Sequence, residues 1–269
     1  MKKYFAGWVG FCLVAIAIGG LTSGEIWWER YYYPFAWIGW VLLTDALGAL
    51  LHGTSLFTRM GFASFGVFLI SMPFWGLYHL LNLYLGLWRD VPIHHSFSHD
   101  LSYSLAHAAV LPALMTTLEI FVPTTEPLMP ERPLSRFAAG CWVLFGLTNL
   151  ALLFISPSFF PLLFCFLLFI LDPLNYSASR PSLLYALQKG RWRTLLRFAG
   201  AGIVIGLFWE GLNVMSRGGW SYALPYWNFD HLFAMPVLGF LGYIPFLATG
   251  YAFSVWFAAL WKDKALLPR

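Results

Sequence analysis

The chain repeats itself, and that constrains its fold more than any single motif. Pro34, Asp45, Leu47, Ser55 and Leu56 recur 127 positions later as Pro161, Asp172, Leu174, Ser182 and Leu183. His79-Leu80-Leu81-Asn82 aligns with Glu210-Gly211-Leu212-Asn213 at an offset of 131, and Trp88 with Trp220 at 132. Pro92, Leu105, Pro112, Leu114 and Thr116 align with Pro225, Leu238, Pro245, Leu247 and Thr249 at 133. The offset grows only as short insertions would make it grow. Two copies of one module are therefore expected, with functional residues near the boundary between them.

Composition says where the copies sit. Of 269 residues, 59% are hydrophobic and 10% charged. A soluble domain carries roughly 25% charged residues, so the long apolar runs belong in a bilayer. Eight spans are expected, at 6–22, 34–52, 61–82, 101–121, 137–155, 159–174, 195–215 and 233–261. With the N-terminus inside, the cytoplasmic segments hold Lys2, Lys3, Arg59, Arg132, Arg136, Arg180, Lys189, Arg191, Arg193, Arg197, Lys262, Lys264 and Arg269, and the outer ones only Arg30, Arg89 and Arg217. That sorting follows the positive-inside bias. The expected location is an integral one, in a bacterial inner membrane, with both termini cytoplasmic. The net charge of +4 then reflects topology and lipid headgroups and gives no basic domain for nucleic acid. Lys2 and Lys3 before the first span resemble a signal peptide. However, Gly20-Leu21-Thr22-Ser23 makes a poor cleavage site, so the span is expected to be retained.

The fold expected is an all-α polytopic membrane protein of about eight transmembrane helices, arranged as two parallel four-helix repeats. The first repeat covers 1–121, a cytoplasmic linker 122–136 and the second repeat 137–269. Four spans per copy make both copies enter the membrane in the same direction, related by an axis near the membrane normal. The linker carries four prolines and both charge signs, as a surface loop would.

Polar groups inside a membrane are costly and mark candidate sites. His79 and Asn82 are three apart, as are Glu210 and Asn213, so each pair shares a helix face. At equal depth across a pseudo-two-fold axis, Glu210 would meet His79. Such a pair could act as general acid and base, with Asn82 and Asn213 orienting it, or as a polar clasp between the halves. Asp45 and Asp172 each follow a proline by 11 residues, about 16 Å into a helix at ~1.5 Å per residue. They suit a cap or salt bridge, or else a proton or cation relay. Glu119, near an inner helix end, is expected to snorkel. His94, His95, His99, His107 and His231 gather on the outer side. His95 and His99, at i and i+4, could bind one metal together with His231, or simply meet water and headgroups. The sequence names no cofactor.

Trp75, Trp88, Trp209, Trp220 and Tyr222 are the candidate ligand-binding residues. Aromatic walls stack on polyenes, quinones and pigment rings, and they also anchor helices at the interface. Glu210 in a helix, then Gly219-Trp220-Ser221-Tyr222 in a loop, then Met235-Pro236 opening a helix, resembles the membrane lycopene cyclase domain, which also occurs as tandem few-helix repeats. The resemblance covers at most a quarter of the chain. It implies a carotenoid-type substrate protonated by a carboxyl group. That family sets paired carboxylates after the proline, whereas Val237-Leu238-Gly239 follows Pro236 here, so the protonating group is either missing or replaced by Glu210.

Three functions are consistent with this reading. The first is a site near the outer face, between the repeats, that binds a hydrophobic isoprenoid or carotenoid-type molecule and cyclises or isomerises it. The second is a pigment-, quinone- or lipid-binding structural subunit with partner membrane subunits. The third, ranked last because the midplane is poor in polar groups, is a small transporter.

Overall fold

The structure is a computed structural model describing residues 2–90, 97–123, 128–217 and 219–260, with the backbone alone at 2–3, 90, 97–100 and 260. Helices α1 (Lys2–Ser23), α2 (Ile26–His52), α3 (Leu56–Met60), α4 (Phe65–Leu85) and α5 (Phe97–Phe121) precede the linker. Helices α6 (Arg136–Ile155), α7 (Phe166–Ser177), α8 (Leu183–Gln188), α9 (Trp192–Met215) and α10 (Tyr243–Leu260) follow it. Eight segments are long and apolar enough to cross a membrane, from Tyr4–Ser23 to Val237–Ala259. The protein is an all-α polytopic membrane protein. Helices suit this solvent because they satisfy their backbone polar groups internally.

Two span boundaries differ from expectation. Pro34 lies inside α2, which starts earlier, at Ile26. Membrane helices tolerate an internal proline where neighbours re-satisfy the freed carbonyl. The short sixth span is completed by a 3-10 turn over Pro157–Phe164 ahead of α7.

Helices α2, α5 and α10 are central and α1 and α6 peripheral. α2 packs on α1 and α5, α5 also on α4 and α9, and α10 on α7 and α9. Trp37, Phe74, Tyr78, Leu111, Leu114, Ile205 and Phe246 are fully buried between them. Phe5, Trp8 and Phe11 of α1 and Phe137, Leu144 and Phe145 of α6 are exposed, as residues meeting lipid would be.

At one end of the bundle the two intramembrane aspartates do the same job. Asp45 accepts from the Ser55 hydroxyl (2.8 Å) and the Phe57 N–H (3.0 Å). Asp172 accepts from the Ser182 hydroxyl (2.8 Å) and the N–H groups of Leu183 (2.9 Å) and Leu184 (2.8 Å). Ser55 and Ser182 are the N-caps of α3 and α8. Each aspartate therefore ties the next short helix back to the end of its own span and satisfies donors left over at a helix start. The Arg59 charge also lies near Asp45. Arg59 bonds Glu119 of α5, so Glu119 does not snorkel. Its carboxylate is buried and needs a cation more than it needs water.

The linker is less of a surface loop than its prolines suggest. Leu128 is buried, its carbonyl accepts from Ser182 N–H (3.1 Å), and Lys189 pairs with Glu131 (3.1 Å). That ammonium holds the exposed Glu131 carboxyl below its ordinary range.

Replacing Asp172 with Ala strands one hydroxyl and two N–H groups, and should cost roughly 2–4 kcal/mol. The expected outcome is a lowered thermal unfolding midpoint in detergent for Asp172→Ala and Asp45→Ala. Unchanged midpoints in both variants would count against the capping role.

Candidate functional site

The opposite end of the bundle is built by two asparagines. α4 ends at Gly86, whose positive φ of 63 lets the chain reverse out of the helix. Asn82, one turn earlier, then takes hold of the returning backbone. Its Oδ1 accepts from the N–H groups of Leu87 (2.9 Å) and Trp88 (3.1 Å), and its Nδ2 donates to the Trp88 carbonyl (2.8 Å). Asn213 does the same beyond α9. It accepts from Trp220 N–H (2.7 Å) and donates to the Trp220 carbonyl (3.0 Å). Gly219 is required there, because a Cβ would sit 2.2 Å from Asn213 Oδ1. Both asparagines are thus backbone clamps, and Asn213 also donates to Glu210, as expected of an orienting residue.

The clamped segments form strands β1 (Trp88–Asp90) and β2 (Trp220–Tyr222), which pair antiparallel as Trp88 with Tyr222, Arg89 with Ser221, and Asp90 with Trp220. This pairing was not legible in the sequence, since three-residue strands carry no usable alternation. Strands β3 (His231–Leu232) and β4 (Met235–Pro236) form a second small ladder in the loop before α10.

Beneath the β1–β2 pair lies a cavity of about 320 Å³. The candidate aromatic residues Trp75, Trp88, Trp209, Trp220 and Tyr222 all line it, and so does His79. Trp75 sits at the junction of the walls, with ring centroids 6.2 Å from Trp88, 4.9 Å from Trp209 and 5.5 Å from Phe246. Tyr33 and Tyr103 stack at 5.7 Å on the same wall. On the other side stand Phe160 and Phe164 of the 3-10 turn, and Trp227, Leu238 and Leu241 of the loop before α10. Trp227, Leu238 and Leu241 are also exposed, so the mouth opens between that turn and that loop.

Glu210 is not on the cavity wall and does not meet His79, contrary to the expected pair. It is fully buried behind two tyrosines that do line the cavity. Oε1 accepts from the hydroxyls of Tyr222 (2.5 Å) and Tyr243 (2.6 Å), and Oε2 from Asn213 Nδ2 (3.4 Å). Trp220 Nε1 in turn donates to the Tyr222 hydroxyl (2.7 Å). All of these donors come from the Glu210 half of the chain. The clamp on Trp220 brings Tyr222 over the carboxylate, and three donors leave it little capacity for an imidazole. His79 packs instead against Trp75 (5.1 Å), Trp88 (6.0 Å) and His107 (4.9 Å). Tyr243 was missed as a functional residue, because its role depends on α10 crossing α9 at Glu210, a contact no local pattern encodes.

The metal expectation finds no support among the described residues, which contain no group of three or more potential ligands. His231 is exposed and bonds Asn228 (3.1 Å). His95 and the side chain of His99 lie outside the described residues.

No family model, curated protein or solved structure matches this chain.

Burial first, and then the neighbouring Glu210 carboxylate, push the Tyr222 phenol well above its ordinary value. A phenol raised in the folded state contributes stability below the unfolded value near ~10 and loses it as pH climbs towards the folded value. The unfolding midpoint of the protein should therefore fall above pH ~10, and Tyr222→Phe should remove part of that fall. Identical pH profiles for the two proteins would count against the placement of Tyr222.

Proposed function

We propose that this protein is a membrane-embedded receptacle for a hydrophobic, isoprenoid-type molecule, held in the aromatic cavity beneath the β1–β2 pair. The observation that carries this reading is the cavity wall itself. Five tryptophans, several tyrosines and phenylalanines and two histidines surround a space near the lower end of the range of roughly 300–1,000 Å³ that holds small organic ligands. Flat rings pack well against conjugated or branched apolar chains. Both lips of the mouth are apolar, Phe160 and Phe164 on one and Leu238 and Leu241 on the other, which suits entry from hydrocarbon rather than from water. The sorting of basic residues supports an outer-face position for this end, with both termini inside.

On this reading the cavity is the meeting point of two parallel repeats. Supporting the duplication, Asp45 and Asp172 bind Ser55 and Ser182 at one offset, and Asn82 and Asn213 clamp Trp88 and Trp220 at the other end. The β1–β2 register is self-complementary under the Trp88 to Trp220 alignment: Trp88 faces Tyr222, and Asp90 faces Trp220. An isologous contact about a two-fold axis has this property.

Binding is favoured over cyclisation. In a cyclase of the kind the Gly219-Trp220-Ser221-Tyr222 stretch resembles, an acid would reach the ligand. Here the route from Glu210 passes through the Tyr222 or Tyr243 hydroxyl. A role as a ligand-carrying subunit with membrane partners draws on a separate observation, the exposed Phe229, Leu232 and Phe233 in the loop before α10.

Gently purified protein should carry a lipid-soluble organic molecule at near-stoichiometric amount, found by mass spectrometry and absorption of a solvent extract. Trp209→Ala combined with Trp75→Ala should lose it at least tenfold. A preparation that folds, yields only bulk membrane lipid and is unaffected by the double substitution would end this reading.

A further inference from the structure

We propose that His107 is the recognition point for a terminal oxygen on the ligand, so that the cavity selects a prenyl-type alcohol or carbonyl compound over the corresponding hydrocarbon. The inference rests on the cavity reading above and specifies its ligand class.

The polar groups on the wall are not equally free to meet a ligand. The Tyr222 and Tyr243 hydroxyls are committed to Glu210, and the Trp220 indole N–H to Tyr222. The ring of His107 also lines the cavity and makes no hydrogen bond among the described residues. Its neighbours are rings: His79 at 4.9 Å, Tyr103 at 6.1 Å and Trp75 at 6.5 Å. A neutral imidazole offers one donor and one acceptor. Left unmet in an apolar wall, both are a cost, and a ligand oxygen meets at least one of them. A hydrocarbon meets neither.

The position of His107 is set by a device of its own. The Ser71 hydroxyl of α4 donates to the His107 carbonyl (2.6 Å) and accepts from the Leu111 N–H (2.9 Å). Those two groups would otherwise close one turn of α5, so the serine enters the helix ladder at the turn carrying His107. Pro112 follows directly. Side-chain insertion and proline are both recognised causes of a local bend. In the aligned second half Gly202 and Phe240 replace Ser71 and His107, so a cavity between the halves has this group on one side alone.

The test uses the whole protein in nanodiscs and two probes, farnesol and its hydrocarbon counterpart farnesene. Quenching of tryptophan emission is read against each probe's partitioning into empty nanodiscs. Farnesol should bind about tenfold more tightly than farnesene, the effect of one hydrogen bond to a buried partner. His107→Leu should bring the two probes level by weakening farnesol alone, while His107→Gln keeps most of the preference. Equal binding by the unsubstituted protein, or a preference that survives His107→Leu, overturns the inference and leaves the cavity reading standing. Failure of both probes to bind overturns the cavity reading as well. The comparison in the unsubstituted protein needs no variant to fold.

Discussion

The site depends on the grip of two asparagine side chains on the backbone leaving their helices. A chain emerging from a membrane helix has carbonyl and N–H groups with no partner in the helix, and apolar surroundings make each one costly. Asn82 and Asn213 answer both needs at once, accepting from one backbone group and donating to another. The result is two rigid strand starts where two floppy loops would otherwise stand. The strands can then pair, and their pairing roofs the cavity with Trp88, Trp220 and Tyr222. A hydrophobic contact could not substitute, because lipid offers the same apolar surface everywhere. Between helices in a bilayer it is hydrogen bonds and close packing that fix geometry.

The same clamps carry different chemistry on the two sides. One turn before Asn82 stands His79, and one turn before Asn213 stands Glu210. His79 faces the cavity among rings, while Glu210 is withdrawn behind Tyr222 and Tyr243. A carboxylate brought onto an apolar wall would be far more expensive than an imidazole. Enclosure by three donors removes that cost and fixes the orientation of two tyrosines that line the cavity. Glu210 is on this view a positioning residue. It holds the two phenol hydroxyls at 2.5 and 2.6 Å and so sets where their rings face the cavity. The arrangement keeps a buried acid off the wall of a largely apolar cavity.

Much of the fold was legible in the sequence because its signals are long. Eight apolar runs and the sorting of basic residues need only composition and span length, and both average over many positions. The candidate aromatic residues were legible too. Trp75, Trp88, Trp209, Trp220 and Tyr222 come from four separate segments and meet around one cavity. What sequence could not give was the wiring between elements. Spacing placed His79 with Asn82, and Glu210 with Asn213, on shared helix faces. The partner of each polar atom, however, depends on which helix crosses at that height. Tyr243 reaches Glu210, Ser71 reaches His107, and Arg59 reaches Glu119 only because of tertiary packing. The aspartates illustrate the same limit. Their repeat with Ser55 and Ser182 was visible, but a relay and a cap share one sequence signature until the hydrogen bonds are seen.

Cavity size and mouth position together limit the guest. A volume of about 320 Å³ suits a short chain or one end of a long one, since pockets for drug-sized molecules start near ~300 Å³. A full-length carotenoid would therefore project through the mouth, between the Pro157–Phe164 turn and the loop before α10. That gap is closed from above by Tyr226, whose hydroxyl bonds the Ser158 carbonyl at 2.5 Å and whose ring lies 4.9 Å from Phe160. Trp227, at a positive φ of 62, stands beside it. A tryptophan held in the left-handed region is strained, and strain of this kind persists where surrounding contacts over-determine it. The turn and the loop are thus pinned to each other at Tyr226 while Leu238 and Leu241 remain exposed. A guest longer than the cavity would leave sideways, along the apolar lip, and its protruding length would lie in the membrane. Under the proposed function such a cavity would grip one end group selectively while tolerating variation in the tail, the division of labour expected when a few placed groups set specificity and the rest of the contact is apolar.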